Sequence, residues 1–139
     1  MLIEVKVKVS RIIDAKLKKR TETYLINKEF FSEAEYAVVA PLMQESNEGI
    51  VDCFEVQSLR ISPIKEVASQ YQGEYAFVAT LRDTWTDDDG TEKYLKYKVL
   101  LWADSLTEAN QHVQQLAREG YDMLIEGIKQ VDYVYLNEN

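Results

Sequence analysis

The sequence predicts an α+β fold of two duplicated ββαβ units, with a mainly antiparallel sheet and the helices packed on one face. Three observations predict it. Runs that alternate apolar and polar residues occur in both halves, and each half also carries one stripe of helical period. The order strand, strand, helix, strand is read twice along the 139 residues. Finally, Tyr24–Ala34 (YLINKEFFSEA) can be laid on Val99–Ala109 (VLLWADSLTEA) at a constant offset of 75, pairing Leu25 with Leu100, Ile26 with Leu101, Glu33 with Glu108 and Ala34 with Ala109. One helix on three strands is small for independent stability, so the expected product is a pseudo-dimer, one compact domain in which each unit buries the other. The expected boundaries are 1–61 for the first unit, 62–73 for a connector and 74–139 for the second unit.

Each element has a local reason. Leu2–Val9 places Ile3, Val5, Val7 and Val9 on one face and Glu4, Lys6 and Lys8 on the other, the pattern of a half-buried strand. The basic stretch Arg11–Arg20 is read as a loop to the β-rich Thr21–Asn27, and the two strands are expected to form a hairpin. Ser32 and Glu35 have capping-box spacing, and Ala34, Ala37, Val38 and Pro41 form a helical stripe. Pro41 predicts a kink or an early end near Ala40. Ile50–Ile61 completes the first unit, with Cys53 pointing into the sheet as a small apolar residue.

In the second half, Glu74–Trp85 and Lys93–Trp102 read as a hairpin around Asp87-Asp88-Asp89-Gly90. A helix follows, with Ser105 and Glu108 at capping-box spacing, a stripe of Leu106, Ala109, Val113, Leu116 and Ala117, and Gly120 as its stop. Tyr121–Leu136 is read as the last strand.

Composition narrows the function. No apolar run reaches the roughly 20 residues of a membrane span, and the single cysteine fits a reducing, cytoplasmic compartment. The formal net charge is −8, unevenly placed: residues 1–70 hold 10 Lys+Arg against 11 Asp+Glu, and residues 71–139 hold 6 against 13. A polyanion would be repelled by the second half.

The aspartate cluster is not a calcium loop, because Trp85 and Lys96 fall where an EF-hand needs its first and last ligands. His112, the single histidine, reads as a surface helical residue with no partner for zinc or for a nucleophile. The glycines are scattered, and Glu33 and Glu108 sit at helix starts, where the helix dipole accounts for them. We therefore expect no catalytic residues, no metal and no cofactor. Candidate binding residues are the cations Arg11, Lys16, Lys18, Lys19 and Arg20 and the aromatics Trp85, Tyr94, Tyr97 and Trp102. Sheet aromatics stack bases where a basic groove accompanies them, but Lys96 and Lys98 alternate with Tyr97 and so face away from it.

Val5–Val9 (VKVKV), Tyr24–Glu35 and Tyr97–Ala109 together resemble an uncharacterised, mainly Bacteroidetes family, the domain of unknown function DUF4494. The chain departs from it in a shortened C-terminus and in Phe30, where a small polar residue would be expected. The resemblance implies a cytoplasmic bacterial or phage-borne protein and supplies no catalytic residues. The expected function is non-catalytic: binding a protein partner, or a second copy, through sheet edges and exposed aromatics. The alternatives are a single-stranded nucleic-acid binder and an acidic inhibitor that mimics nucleic acid.

Overall fold

A computed structural model describes residues 1–119 and 123–136. Gly120 and the expected strand start at Tyr121 lie outside the described residues. The chain divides into two units, Met1–Ser62 together with the segment from Asp132, and Pro63–Val131.

The first unit contains β1 (Leu2–Ile13), β2 (Lys16–Asn27), α1 (Phe31–Asn47), β3 (Val51–Ile61) and β8 (Val134–Leu136), in the sheet order β3-β1-β2-β8. The second contains β4 (Ile64–Val67), β5 (Tyr75–Thr86), β6 (Glu92–Ala103), α2 (Leu106–Glu119) and β7 (Leu124–Val131), in the order β4-β6-β5-β7. The fold is α+β, as expected, with each sheet antiparallel except at one edge.

That edge follows one rule in both units. The outer side of the hairpin's second strand receives a short parallel strand, β8 on β2 and β4 on β6. The segment 62–73, expected to connect the units, thus carries a strand of the second sheet. The last strand, expected as one run to Leu136, is instead two. β7 ends at Val131 beside Ala76, and β8 pairs Tyr24, Leu25 and Ile26 of the first sheet. Each unit therefore takes its fourth strand from the chain that leaves the other unit's β-α-β segment.

The offset seen in the sequence holds in three dimensions. Leu25 and Leu100, Ile26 and Leu101, and Ala34 and Ala109 are each 0% exposed. In the first core, Ile3, Val5, Val7 and Val9 lie under Ala34, Ala37, Val38 and Leu42 of α1. Two bulges in β3 keep Val51, Phe54, Val56 and Leu59 on the helix side, skipping Asp52 and Gln57. Cys53 consequently pairs with Ser10 on the opposite face and is exposed, which corrects its expected burial. Glu4, on that same face, is 1% exposed and is satisfied by Arg60, whose Nε and Nη2 donate to its two oxygens at 3.2 Å.

Three further expectations are corrected. Arg11–Arg20 is no loop: β1 and β2 run into a two-residue turn at Asp14-Ala15, both with positive φ, 52° and 62°. α1 runs through Pro41 to Asn47, so the early end does not occur, and Leu42 takes the core position given to Pro41. The first capping box is displaced as well. The N-cap is Phe30, which makes no side-chain cap bond, whereas in α2 the Glu108 amide donates to Ser105 Oγ at 3.1 Å. By the offset of 75, Phe30 is the counterpart of Ser105.

The aspartate turn forms as a hairpin turn. Asp87 Oδ1 accepts the amides of Asp89 and Thr91, and Gly90 has φ 79°. Among the described residues no helix is long and apolar enough to cross a membrane.

Gly73 and Gly127 provide a test of packing in the second unit. A Cβ at Gly73 would fall within contact of the Ala103 backbone, whereas one at Gly127 meets nothing within 4 Å. Gly73→Ala is expected to cost about 1–3 kcal/mol, as overpacking does. Gly127→Ala should stay within about 0.5 kcal/mol. Urea denaturation of the two variants measures both.

Candidate functional site

The first unit has a cleft of about 430 Å³ between α1 and the β2–β8 edge. Ala37, Val38, Pro41 and Leu42 of α1 and Val134 and Leu136 of β8 give it apolar walls. Arg11, Arg20, Glu22, Glu45 and Asp132 add charge. The volume lies within the roughly 300–1,000 Å³ of ordinary ligand pockets.

Strand periodicity explains why charge meets helix here. Val5, Val7 and Val9 continue on the α1 side into Arg11, while their partners Tyr24, Glu22 and Arg20 lie on the same side of β2. At this end of the sheet α1 ends in polar residues, so the strand face changes from valines to ions. Arg11 donates from Nε and Nη2 to the two oxygens of Glu22, at 2.6 and 2.8 Å, and from Nη1 to Glu45 Oε2 at 2.5 Å. Arg20 Nε and the Tyr24 hydroxyl also donate to Glu22, at 2.7 and 2.6 Å.

Burial alone would raise the Glu22 carboxyl, but hydrogen bonds from Arg11, Tyr24 and Arg20 outweigh it and hold it down to about 2. Tyr24 is pushed up to about 12, first by burial and then by its bond to the Glu22 carboxylate. The bond to Glu22 likewise raises the Arg11 guanidinium against the opposing effect of burial.

These contacts separate the basic candidates. Arg11 is engaged through all three of its nitrogens by two carboxylates. Arg20 contacts Glu22 through Nε, is 54% exposed and lines the cleft. Lys16, Lys18 and Lys19 are exposed along β2.

The backbone beside them is the second feature of the site. β8 covers β2 only at Tyr24, Leu25 and Ile26, and among the described residues no strand pairs with the outer edge from Lys16 to Thr23. An open strand edge thus borders a cleft and carries a row of cations.

The aromatic candidates all belong to the second unit and do not form one surface. Tyr97 faces α2 and donates to Met123 Sδ at 2.7 Å, with burial pushing its hydroxyl up. Tyr94 is on the opposite face, with the Arg82 guanidinium 5.6 Å and the Lys96 ammonium 5.8 Å from its ring centroid. Both cations are anchored by Glu126, the bulged residue of β7. Trp85 is exposed near the turn opposite Lys93, and Trp102 is half-buried opposite Ala76.

His112 differs from its expected surface role. It is half-buried, stacks on Tyr71 at 4.7 Å between ring centroids, and has Nε2 3.6 Å from Glu108 Oε1. Sequence reasoning also missed Glu22, Tyr24 and Glu45. A usable signal existed: with the turn at Asp14-Ala15, parity alone puts Arg11, Arg20, Glu22 and Tyr24 on one face.

The family model for DUF4494, a domain of unknown function, matches residues 1–136, so the chain belongs to that family. No curated protein and no solved structure matches the chain significantly.

The ion cluster has a pH signature. The Glu22 carboxyl is depressed, so its stabilisation is complete above its ordinary value near 4.5 and is lost as the pH falls toward about 2. The Tyr24 hydroxyl is raised, so its contribution is complete below 10 and is lost as the pH rises through about 12. Glu22→Gln leaves Arg11 undercompensated and is expected to cost about 1–3 kcal/mol at neutral pH. The gap between wild type and Glu22→Gln should shrink as the pH is lowered from 4.5 toward 2, as read from urea midpoints.

Proposed function

We propose that this chain is a non-catalytic protein-interaction module, acting in the cytoplasm, that binds an extended acidic segment of a partner by strand addition to β2. The observation that carries the reading is the open edge from Lys16 to Thr23 beside the α1–β8 cleft. Unpaired edge amides and carbonyls offer a ready hydrogen-bond ladder, and alternate side chains of an added strand give specificity. The terminal nitrogens of Arg20 suit a partner carboxylate in a two-point contact. An apolar side chain further along the same strand would enter the cleft against Leu42, Val134 and Leu136.

The non-catalytic part rests on the chemistry of the cluster. A general acid or base works best with its pKa near the operating pH. Glu22 is held near 2 and Tyr24 near 12, with the Glu22 oxygens already occupied by donors. The cytoplasmic part rests on Cys53, an exposed free thiol suited to a reducing compartment. Single-stranded nucleic acid has weaker support as the ligand, because Arg11 is neutralised by Glu22 and Glu45 and the aromatic hairpin belongs to the other unit.

Peptides alternating glutamate with valine or leucine are the appropriate probe. Wild type should bind them with micromolar affinity, and Arg20→Glu should weaken binding at least tenfold. Lysine-for-glutamate versions of the same peptides should not bind. Equal binding of both peptide sets, or binding unchanged in Arg20→Glu, contradicts the reading. Tight, steeply salt-dependent binding of oligothymidylate instead would move the function to nucleic acid.

A further inference from the structure

The duplication supplies an internal control for surfaces, because equivalent positions of the two helices can be compared directly. Both helices bury one stripe on their sheet: Ala34, Ala37, Val38 and Leu42 in α1, and Ala109, Val113, Leu116 and Ala117 in α2. Their opposite faces differ. At the offset of 75, Gln111, Gln114, Gln115 and Arg118 make the outer stripe of α2 polar. The counterparts in α1 are Tyr36, Val39, Ala40 and Met43, spaced i, i+3, i+4 and i+7. Tyr36 is 74% exposed and Met43 56%. A helix apolar on two opposite faces is one that expects cover on both.

The charge around this stripe selects what covers it. α1 carries Glu33 and Glu35, besides Glu45, which is paired with Arg11, and no Lys or Arg; exposed Glu29 and Glu48 flank it and outnumber the one flanking cation, Lys28. Acidic residues rimming an apolar stripe repel a second copy of the same helix, an anionic lipid surface and nucleic acid alike. They attract a cationic partner.

A second feature gives the stripe depth. A cleft of about 480 Å³ runs along α1, lined by Ser32, Glu33, Tyr36, Ala37, Ala40 and Pro41 and, at its N-terminal end, by Lys28. Pro41 has no amide hydrogen, so the Ala37 carbonyl loses the donor that position would have supplied. A carbonyl freed in this way and the Glu33 carboxylate offer acceptors for a lysine or arginine beside an apolar stripe.

We propose that the outer face of α1 docks a cationic amphipathic helix of a partner protein. Its apolar side chains would pack between Tyr36, Ala40 and Met43, and its cations would meet Glu33 and Glu35. Its cleft shares Ala37 and Pro41 with the α1–β8 cleft, but Tyr36, Ala40 and Glu33 line only the outer one, so the chain would hold two partner segments of opposite charge, one extended and one helical. The proposal stands or falls independently of strand addition at β2.

The test uses the full chain and a helix-forming peptide of about five turns made only of leucine and lysine with a continuous leucine stripe. Binding is followed by fluorescence anisotropy near physiological ionic strength. Tyr36→Lys/Met43→Lys is expected to weaken binding at least tenfold. Gln111→Lys/Gln114→Lys, which adds the same charge to the equivalent face of α2, should change it less than twofold. A scrambled peptide of equal composition should bind at least tenfold more weakly than the striped one. All four positions are on outer faces, and circular dichroism verifies that both variants stay folded. Equal affinity for the scrambled peptide, or equal loss in the α2 variant, would show long-range charge attraction alone and overturn the proposal. Concentration-dependent dimerisation of wild type that Tyr36→Lys/Met43→Lys abolishes would also overturn it, making a second copy the occupant.

Discussion

The unsatisfied edge of a β-strand is the constraint on which this architecture depends. A ββαβ unit places its second strand at the border of the sheet, with one row of amides and carbonyls facing outward. In both units the chain answers with a short parallel strand taken from beyond the other unit's third strand, β8 on β2 and β4 on β6. These backbone pairings lie within each unit, because β8 belongs to the first unit with β2 and β4 to the second with β6. The duplication is visible in side chains too, since Leu25 and Leu100 and Ile26 and Leu101 reach full burial at matching positions.

The solution is partial, and the functional reading follows from what it leaves. β8 reaches only three residues of a twelve-residue β2. Beyond that point the sheet has an open edge, an apolar cleft and a cluster in which Glu22 gathers Arg11, Arg20 and Tyr24. Bidentate Arg11 pins Glu22 across the hairpin and Glu45 at the end of α1, joining sheet to helix where the valine core has run out. Arg20 contacts Glu22 through Nε and is 54% exposed. Two arginines that the sequence presents as one basic run therefore differ in setting: Arg11 is half-buried between two carboxylates, and Arg20 is exposed.

The long elements were legible because their periods are strong. Ile3, Val5, Val7 and Val9 specify a strand at period two, and Ala109, Val113, Leu116 and Ala117 a helix at period 3.6. What was illegible was short or non-local. β4 and β8 are four and three residues long, and their pairing partners, β6 and β2, are distant along the chain. The turn at Asp14-Ala15 lacks the glycine that usually marks two positive φ angles, so the sequence reads as a hairpin with a loop over Arg11–Arg20, which hides the Arg11–Glu22 contact. Phe30 occupies an N-cap that sequence preference denies it, shifting the expected cap to Ser32. His112 meets Tyr71 across 41 positions of sequence, and no local pattern encodes that stacking.

Residue-resolved amide hydrogen exchange of β2 in the free protein tests the central claim most directly. An open edge predicts an alternation of slow and fast amides from Lys16 to Thr23, as successive N–H groups point toward β1 or outward, giving way to protection at Tyr24–Ile26 where β8 pairs. Uniform slow exchange along the whole of β2 would mean that the edge is already covered, and would contradict the account.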